Sequence, residues 1–205
     1  MRIYTIGHSN RPLEALLELL RAHAIEALAD VRRYPRSRRW PHFNEPSLRA
    51  ALRSGAAPGR GAAPGEFRAA PEPKSTAPAP LEYHAFSDLG GFRDALPDSR
   101  NDAWENDSFR GYADYMETAE FLSAAQRLID LARTRRTALM CAEADWRNCH
   151  RGLLSDWLNC AGVQTLHIVD ANAPTPHVYT KPARLVDGRL SYRAARTPTL
   201  FDLGA

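Results

Sequence analysis

Apolar and polar positions along the 205-residue chain switch repeatedly between a period of two and a helical period. Arg2 to Ile6 alternates as a strand would, and Gly7-His8-Ser9-Asn10 breaks it. Leu13, Leu16, Leu17, Leu19 and Leu20 then recur at helical spacing, with Pro12 where a first turn tolerates proline. Ile25 to Val31 reads as a second buried strand, so the N-terminal third opens with a βαβ unit, which favours a parallel sheet. From 54 to 80 the pattern lapses into Ala, Pro and Gly, with Gly-Ala-Ala-Pro-Gly at both 55–59 and 61–65. Such a stretch cannot bury enough apolar surface to offset its ordering entropy, which predicts a flexible insertion inside the domain. Order resumes with a short strand over Leu81 to Phe86 and a turn at Asp88-Leu89-Gly90-Gly91. The spacing then predicts one long helix over Tyr112 to Ala132, a strand at 137–141, a polar loop, a helix from about 152 to 160 and a last strand from Thr165 to Val169. The expectation is a single α/β domain over residues 1–175, a mostly parallel sheet flanked by helices, followed by a C-terminal tail over 176–205.

Composition changes this picture little. A hydrophobic share of 44% and a charged share of 25% are ordinary for a soluble globular protein. No apolar run approaches the roughly 20 residues needed to cross a bilayer, and the N-terminus turns polar too soon for a signal peptide. Three cysteines, odd in number and confined to the C-terminal third, do not form a disulfide framework. Together these features predict a cytoplasmic protein with no membrane partner. The net charge of +3 is modest, but Arg32, Arg33, Arg36, Arg38 and Arg39 crowd together, interleaved with Tyr34, Trp40 and Phe43. Guanidinium groups beside aromatic rings offer phosphate contacts and stacking surfaces at once, so Arg33, Arg36, Arg38, Arg39 and Trp40 are candidate nucleic-acid contacts. A solvated basic loop is the plain alternative.

The densest chemistry lies between the 137–141 strand and the helix after it. Cys141, Glu143, Cys149, His150 and Arg151 fall within eleven positions, where open α/β sheets place their ligands. Cys141 with Arg147 formally satisfies the C-x5-R pattern of thiol phosphatases. No glycine permits close backbone approach there, however, and Glu143 and Asp145 repel a dianion. Cys149-His150-Arg151 sits at a helix start, where free N–H groups and the helix dipole favour anions and lower a thiol pKa. Cys141, Glu143, Cys149 and His150 are chemically adequate metal ligands, but their spacing matches no standard pattern, so no metal site and no cofactor is assigned. In a parallel sheet, His8 after the first strand and Asp30 and Arg32 after the second open on the same edge as Cys141.

Thr5-Ile6-Gly7-His8-Ser9-Asn10, Asp30-Val31-Arg32 with Pro35 and Ser37, Phe43-Asn44, Leu89-Gly90-Gly91, Tyr112 to Met116, Met140-Cys141-Ala142-Glu143 and Cys149-His150-Arg151 occur in that order. This ordered set resembles the family called domain of unknown function 488, from about residue 1 to 170. The resemblance implies His8, Asp30, Arg32, Ser37, Cys141, Glu143, Cys149, His150 and Arg151 as site positions. It also implies that typical members lack the 54–80 stretch. Two readings stay open. One is an enzyme in which Cys141, Glu143, His8 and Asp30 are catalytic and Arg32, Ser37, Cys149, His150 and Arg151 bind a phosphate-bearing substrate such as a nucleotide or nucleic acid. The other is a non-catalytic nucleic-acid- or metal-binding module.

Overall fold

Residues 1–54 and 81–195 are described by a computed structural model. The expected insertion, apart from Ser54, and residues 196–205 of the expected tail lie outside the described residues. Six short strands form one sheet: β1 (Arg2–Gly7), β2 (Ala27–Asp30), β3 (Glu82–Ala85), β4 (Thr137–Cys141), β5 (Gln164–Ile168) and β6 (Thr175–Pro176). Their order is β3-β2-β4-β1-β5-β6, parallel throughout except for the antiparallel β5–β6 pair. Apart from Arg2, the residues of β1, β2 and β4 are buried, as expected of parallel strands covered by helices on both faces.

Alternation along each strand feeds two cores. Tyr4, Ile6, Leu28, Ala138 and Met140 pack with Leu16, Leu17 and Leu20 of α1 (Leu13–Ala22) and with Leu48 and Leu52 of α2 (Glu45–Ser54). Ile3, Ala29, Leu139 and Cys141 face α3 (Asp107–Tyr115), α4 (Ala119–Thr134) and α5 (Arg151–Cys160). The expected α/β class, a mostly parallel sheet flanked by helices, is therefore what the chain forms.

The single helix expected over Tyr112 to Ala132 is two. Thr118 stops it: held extended, it accepts a hydrogen bond from the Phe121 N–H and caps α4, while its hydroxyl donates to the Tyr115 carbonyl. Periodicity ran across this break because both helices present their apolar faces to the same core. α2 was not predicted, although Leu48, Ala51 and Leu52 follow helical spacing. The stretch after 175, read as a tail, pairs with β5, buries His177 and Tyr192, and folds a hairpin of β7 (Arg184–Val186) and β8 (Arg189–Ser191).

Candidate functional site

Parallel register brings the carboxyl ends of β1, β2 and β4 to one edge, where Gly7 pairs with Cys141 and Asp30 with Met140. The pairing continues beyond the strands, as the His8 and Ser9 N–H groups donate to the Cys141 and Ala142 carbonyls. A cleft of about 810 Å³ opens there, and Cys141, Cys149 and His150 line it. His150 Nδ1 lies 3.9 Å from Cys141 Sγ and 3.7 Å from Cys149 Sγ. Both thiols are free. At Cys149 burial opposes the charged form. The hydrogen bond from Cys141, together with His150 and Arg151, outweighs it and brings the Cys149 thiol well below its usual range. Donating that hydrogen bond, and then burial, hold Cys141 protonated.

Among the described residues Arg151 has the largest of the fully buried side chains, at 1% exposure, and no salt bridge to a carboxylate. Its Nη2 donates to the Glu143 carbonyl at 2.5 Å, its Nε to Cys149 Sγ at 3.4 Å, and its Nη1 to Thr5 Oγ1 at 3.3 Å. A buried cation needs compensation, and Cys149 Sγ and the Glu143 carbonyl supply acceptors locally. The rest comes through a buried chain. Thr5 Oγ1 bonds His167 Nδ1 at 2.7 Å, His167 Nε2 bonds His177 Nδ1 at 2.9 Å, and His177 Nε2 bonds Asp156 Oδ1 at 2.8 Å. Asp156 also accepts from the hydroxyls of Thr180 and Tyr192. Because a carboxylate only accepts and a guanidinium only donates, the two ends of this chain are fixed: His177 Nε2 donates to Asp156, and Arg151 Nη1 donates to Thr5. Burial, then the neighbouring His177, lower the His167 pKa to about 3, which keeps His167 neutral at pH 7.

On the other side of the cleft Arg32 and Asp30 form a buried pair, with Nη2 at 2.5 Å and Nε at 2.8 Å from the two carboxylate oxygens. Tyr83 donates to the same carboxylate at 2.8 Å. Arg32 Nη1 reaches His8 Nε2 at 3.3 Å, and His8 Nδ1 donates to the Ser9 carbonyl, so both nitrogens of that ring are engaged. Burial, then the Arg32 charge, lower the His8 pKa to about 4, and its ring stacks on Phe43 at 4.1 Å. His8 is a neutral hydrogen-bond acceptor at pH 7.

The remaining predicted residues fall into two groups. Glu143, Ser37, Arg33, Arg36, Arg39 and Trp40 line the cleft alongside His8 and Arg32. Asp30, Arg38 and Arg151 do not line it; Asp30 and Arg151 sit behind, bracing Arg32 and Cys149. Ser37 receives the Trp40 N–H on its hydroxyl, which shapes the basic loop. Arg147 pairs with Asp145 and lies over the Trp146 ring, away from the cleft lining, so the C-x5-R cradle does not form. Sequence reasoning missed Thr5, Asp156, His167, His177 and Tyr192. One signal was present: Asp156 interrupts the apolar face Leu153, Leu154 and Leu158. It also missed Phe92, exposed at 80% beside the cleft and held at φ 61°, a region disfavoured for a bulky side chain.

Fold and site together define an open, mostly parallel α/β protein with a cysteine–histidine–arginine cleft at the carboxyl edge of its sheet. The sequence profile of the domain of unknown function DUF488 matches residues 12–57 and 64–158, and the chain belongs to that family. The match is interrupted only over 58–63, so most of the 54–80 stretch falls within the matched residues. No curated protein and no solved structure matches the chain. No helix among the described residues is long and apolar enough to cross a membrane.

Proposed function

We propose that the cleft is the active site of an enzyme acting on a phosphate-bearing substrate, a nucleotide or a nucleic-acid strand. One observation carries this reading: two thiols and an imidazole converge at the floor of an open cleft whose rim is cationic and aromatic. Arg36 and Arg39 are exposed on that rim, and among the described residues neither pairs with a carboxylate. They are free to hold phosphate, as Arg33 is once its hydrogen bond to the Phe92 carbonyl opens. Tyr34, Trp40, Phe92 and Phe109 line the same space and supply faces on which a base stacks. A bulky residue kept at positive φ and exposed costs stability, and such strain concentrates where it serves binding. Glu143, exposed in the lining, is placed to move a proton.

Titration of nucleoside phosphates and short oligonucleotides into the protein, with turnover followed by product analysis, tests the assignment. Neutralising Arg36 and Arg39 together is expected to weaken binding at least tenfold and to flatten its salt dependence. Phe92→Gly should raise stability while lowering affinity, because stacking contributes about 1–3 kcal/mol per base. Glu143→Gln and Cys149→Ser should abolish turnover while leaving binding intact. Salt-independent binding would remove the phosphate contact. Binding with no turnover of any phosphate compound would leave a non-catalytic nucleic-acid-binding module.

A further inference from the structure

Three donor atoms converge at the floor of the cleft from two separate pieces of chain. Cys141 is the last residue of β4, and Cys149 and His150 lead into α5. Their sulfur and nitrogen atoms all lie within 4.8 Å of one another. Zinc–sulfur bonds of about 2.3 Å and zinc–nitrogen bonds of about 2.0–2.1 Å, arranged tetrahedrally, set ligand atoms about 3.5–3.8 Å apart. The two nitrogen–sulfur separations here, 3.9 Å and 3.7 Å, are already close to that spacing.

The histidine is also prepared in the way metal ligands are. His150 Nε2 lies 3.1 Å from the Val31 carbonyl, which can only accept, so Nε2 carries the proton. The other ring nitrogen, Nδ1, faces both sulfurs, where its lone pair would serve a bound ion. A backbone carbonyl holding the far ring nitrogen is the usual way a coordinating imidazole is fixed in tautomer and orientation. The closeness of Gly91 preserves this arrangement: a Cβ there would stand 2.9 Å from Nδ1.

The charges balance as well. Two thiolates and a divalent ion cancel one another, which leaves buried Arg151 matched by buried Asp156 through Thr5, His167 and His177. We propose that Cys141 Sγ, Cys149 Sγ and His150 Nδ1 form a three-ligand site for zinc or a similarly thiophilic divalent ion, with the fourth position open to the cleft. Two sulfurs and an imidazole select such an ion over magnesium or calcium. Three protein ligands with one position left free is the arrangement of catalytic rather than structural zinc. Only the catalytic use of that fourth position rests on the proposed enzyme reading; ion binding itself does not.

Cobalt(II) and zinc alone are the probes, added to the full-length chain, reduced and stripped of metal under anaerobic conditions. One equivalent of cobalt per chain is expected, with tetrahedral d–d bands, thiolate-to-cobalt charge transfer and displacement by zinc. Cys149→Ser and His150→Ala should each weaken binding more than tenfold, while Cys160→Ser, remote from the cluster, should leave it unchanged. The wild-type spectrum decides the matter even if a ligand variant fails to fold. Absence of uptake, an octahedral spectrum without charge transfer, or binding indifferent to Cys149→Ser would each overturn the site. Formation of a Cys141–Cys149 disulfide in place of metal uptake would overturn it too. Phosphate ligands titrated into the metal-free chain separate the two proposals. Metal uptake without phosphate affinity defeats the substrate class, and phosphate affinity without metal uptake defeats this site.

Discussion

At the scale of single residues, the cleft depends on charges kept out of water. Asp30 and Arg32 are almost wholly buried and meet at two contacts, so each is tolerable only because of the other. Removing one partner of such a pair costs about 3–5 kcal/mol, whereas replacing both by apolar groups of similar volume is often neutral. Asp30→Ala is therefore expected to lose that much in urea denaturation, and Asp30→Leu with Arg32→Met to recover most of it. A single-variant loss below about 1 kcal/mol would show that water reaches the pair. His8 and His167 act in the opposite sense to a paired carboxylate. Their folded pKa values, about 4 and about 3, lie below the unfolded value of 6.5. The unfolded chain therefore binds protons that the folded one refuses. Stability is complete above pH 6.5 and falls as pH drops towards the folded values, by up to about 1.4 kcal/mol per pH unit for each ring. Unfolding midpoints measured between pH about 7.5 and about 5 should show this slope, and His8→Asn should reduce it by about half.

At the scale of elements, the site exists because a strand end, a loop and a helix start are held very close. Gly7 ends β1 where the 143–144 backbone passes over it: a Cβ there would fall 1.9 Å from the Glu143 carbonyl oxygen and 2.8 Å from Ala144 Cα. Main chain cannot give way as a flexible side chain can, and that same Glu143 carbonyl anchors Arg151. Gly7→Ala should cost about 3 kcal/mol or more and abolish ligand binding. Gly162, at φ 79° with open space around it, should lose only about 1–2 kcal/mol on the same change. Equal losses at the two positions would refute the close approach. The sequence made the parallel strands and the edge they share legible, because the buried strands are mostly apolar and His8, Asp30 and Cys141 stand at their carboxyl ends. The pairing inside the cleft was not legible. That Cys141 meets His150 while Arg147 turns away to Asp145 follows from how the loop packs under Gly7 and Gly91, which spacing along the chain does not encode.

At the scale of the whole molecule, the residues after 175 decide whether the buried polar chain is complete. They read as a tail because prolines and polar residues punctuate them, and periodicity has nothing to detect in a two-residue strand and a three-residue hairpin pair. Yet three of the groups that satisfy Asp156, namely His177, Thr180 and Tyr192, come from this stretch, and Asp156 has no exposed surface. Ending the chain after Thr175 would leave a buried carboxylate without these partners and would cut His167 off from its hydrogen-bond partner His177. Orphaning a buried charge costs about 3–5 kcal/mol. At this chain length that corresponds to a fall in Tm of about 10 °C or more. If the loss comes from the orphaned charge, adding Asp156→Leu to the shortened chain should restore part of it, while the same substitution in the full chain should destabilise. Thermal denaturation of the four proteins forms a double-mutant cycle in which the coupling between residue 156 and the C-terminal stretch is read directly. Additive effects would show that the stretch stabilises by apolar burial alone and that the chain from Asp156 to Arg151 is dispensable to the fold.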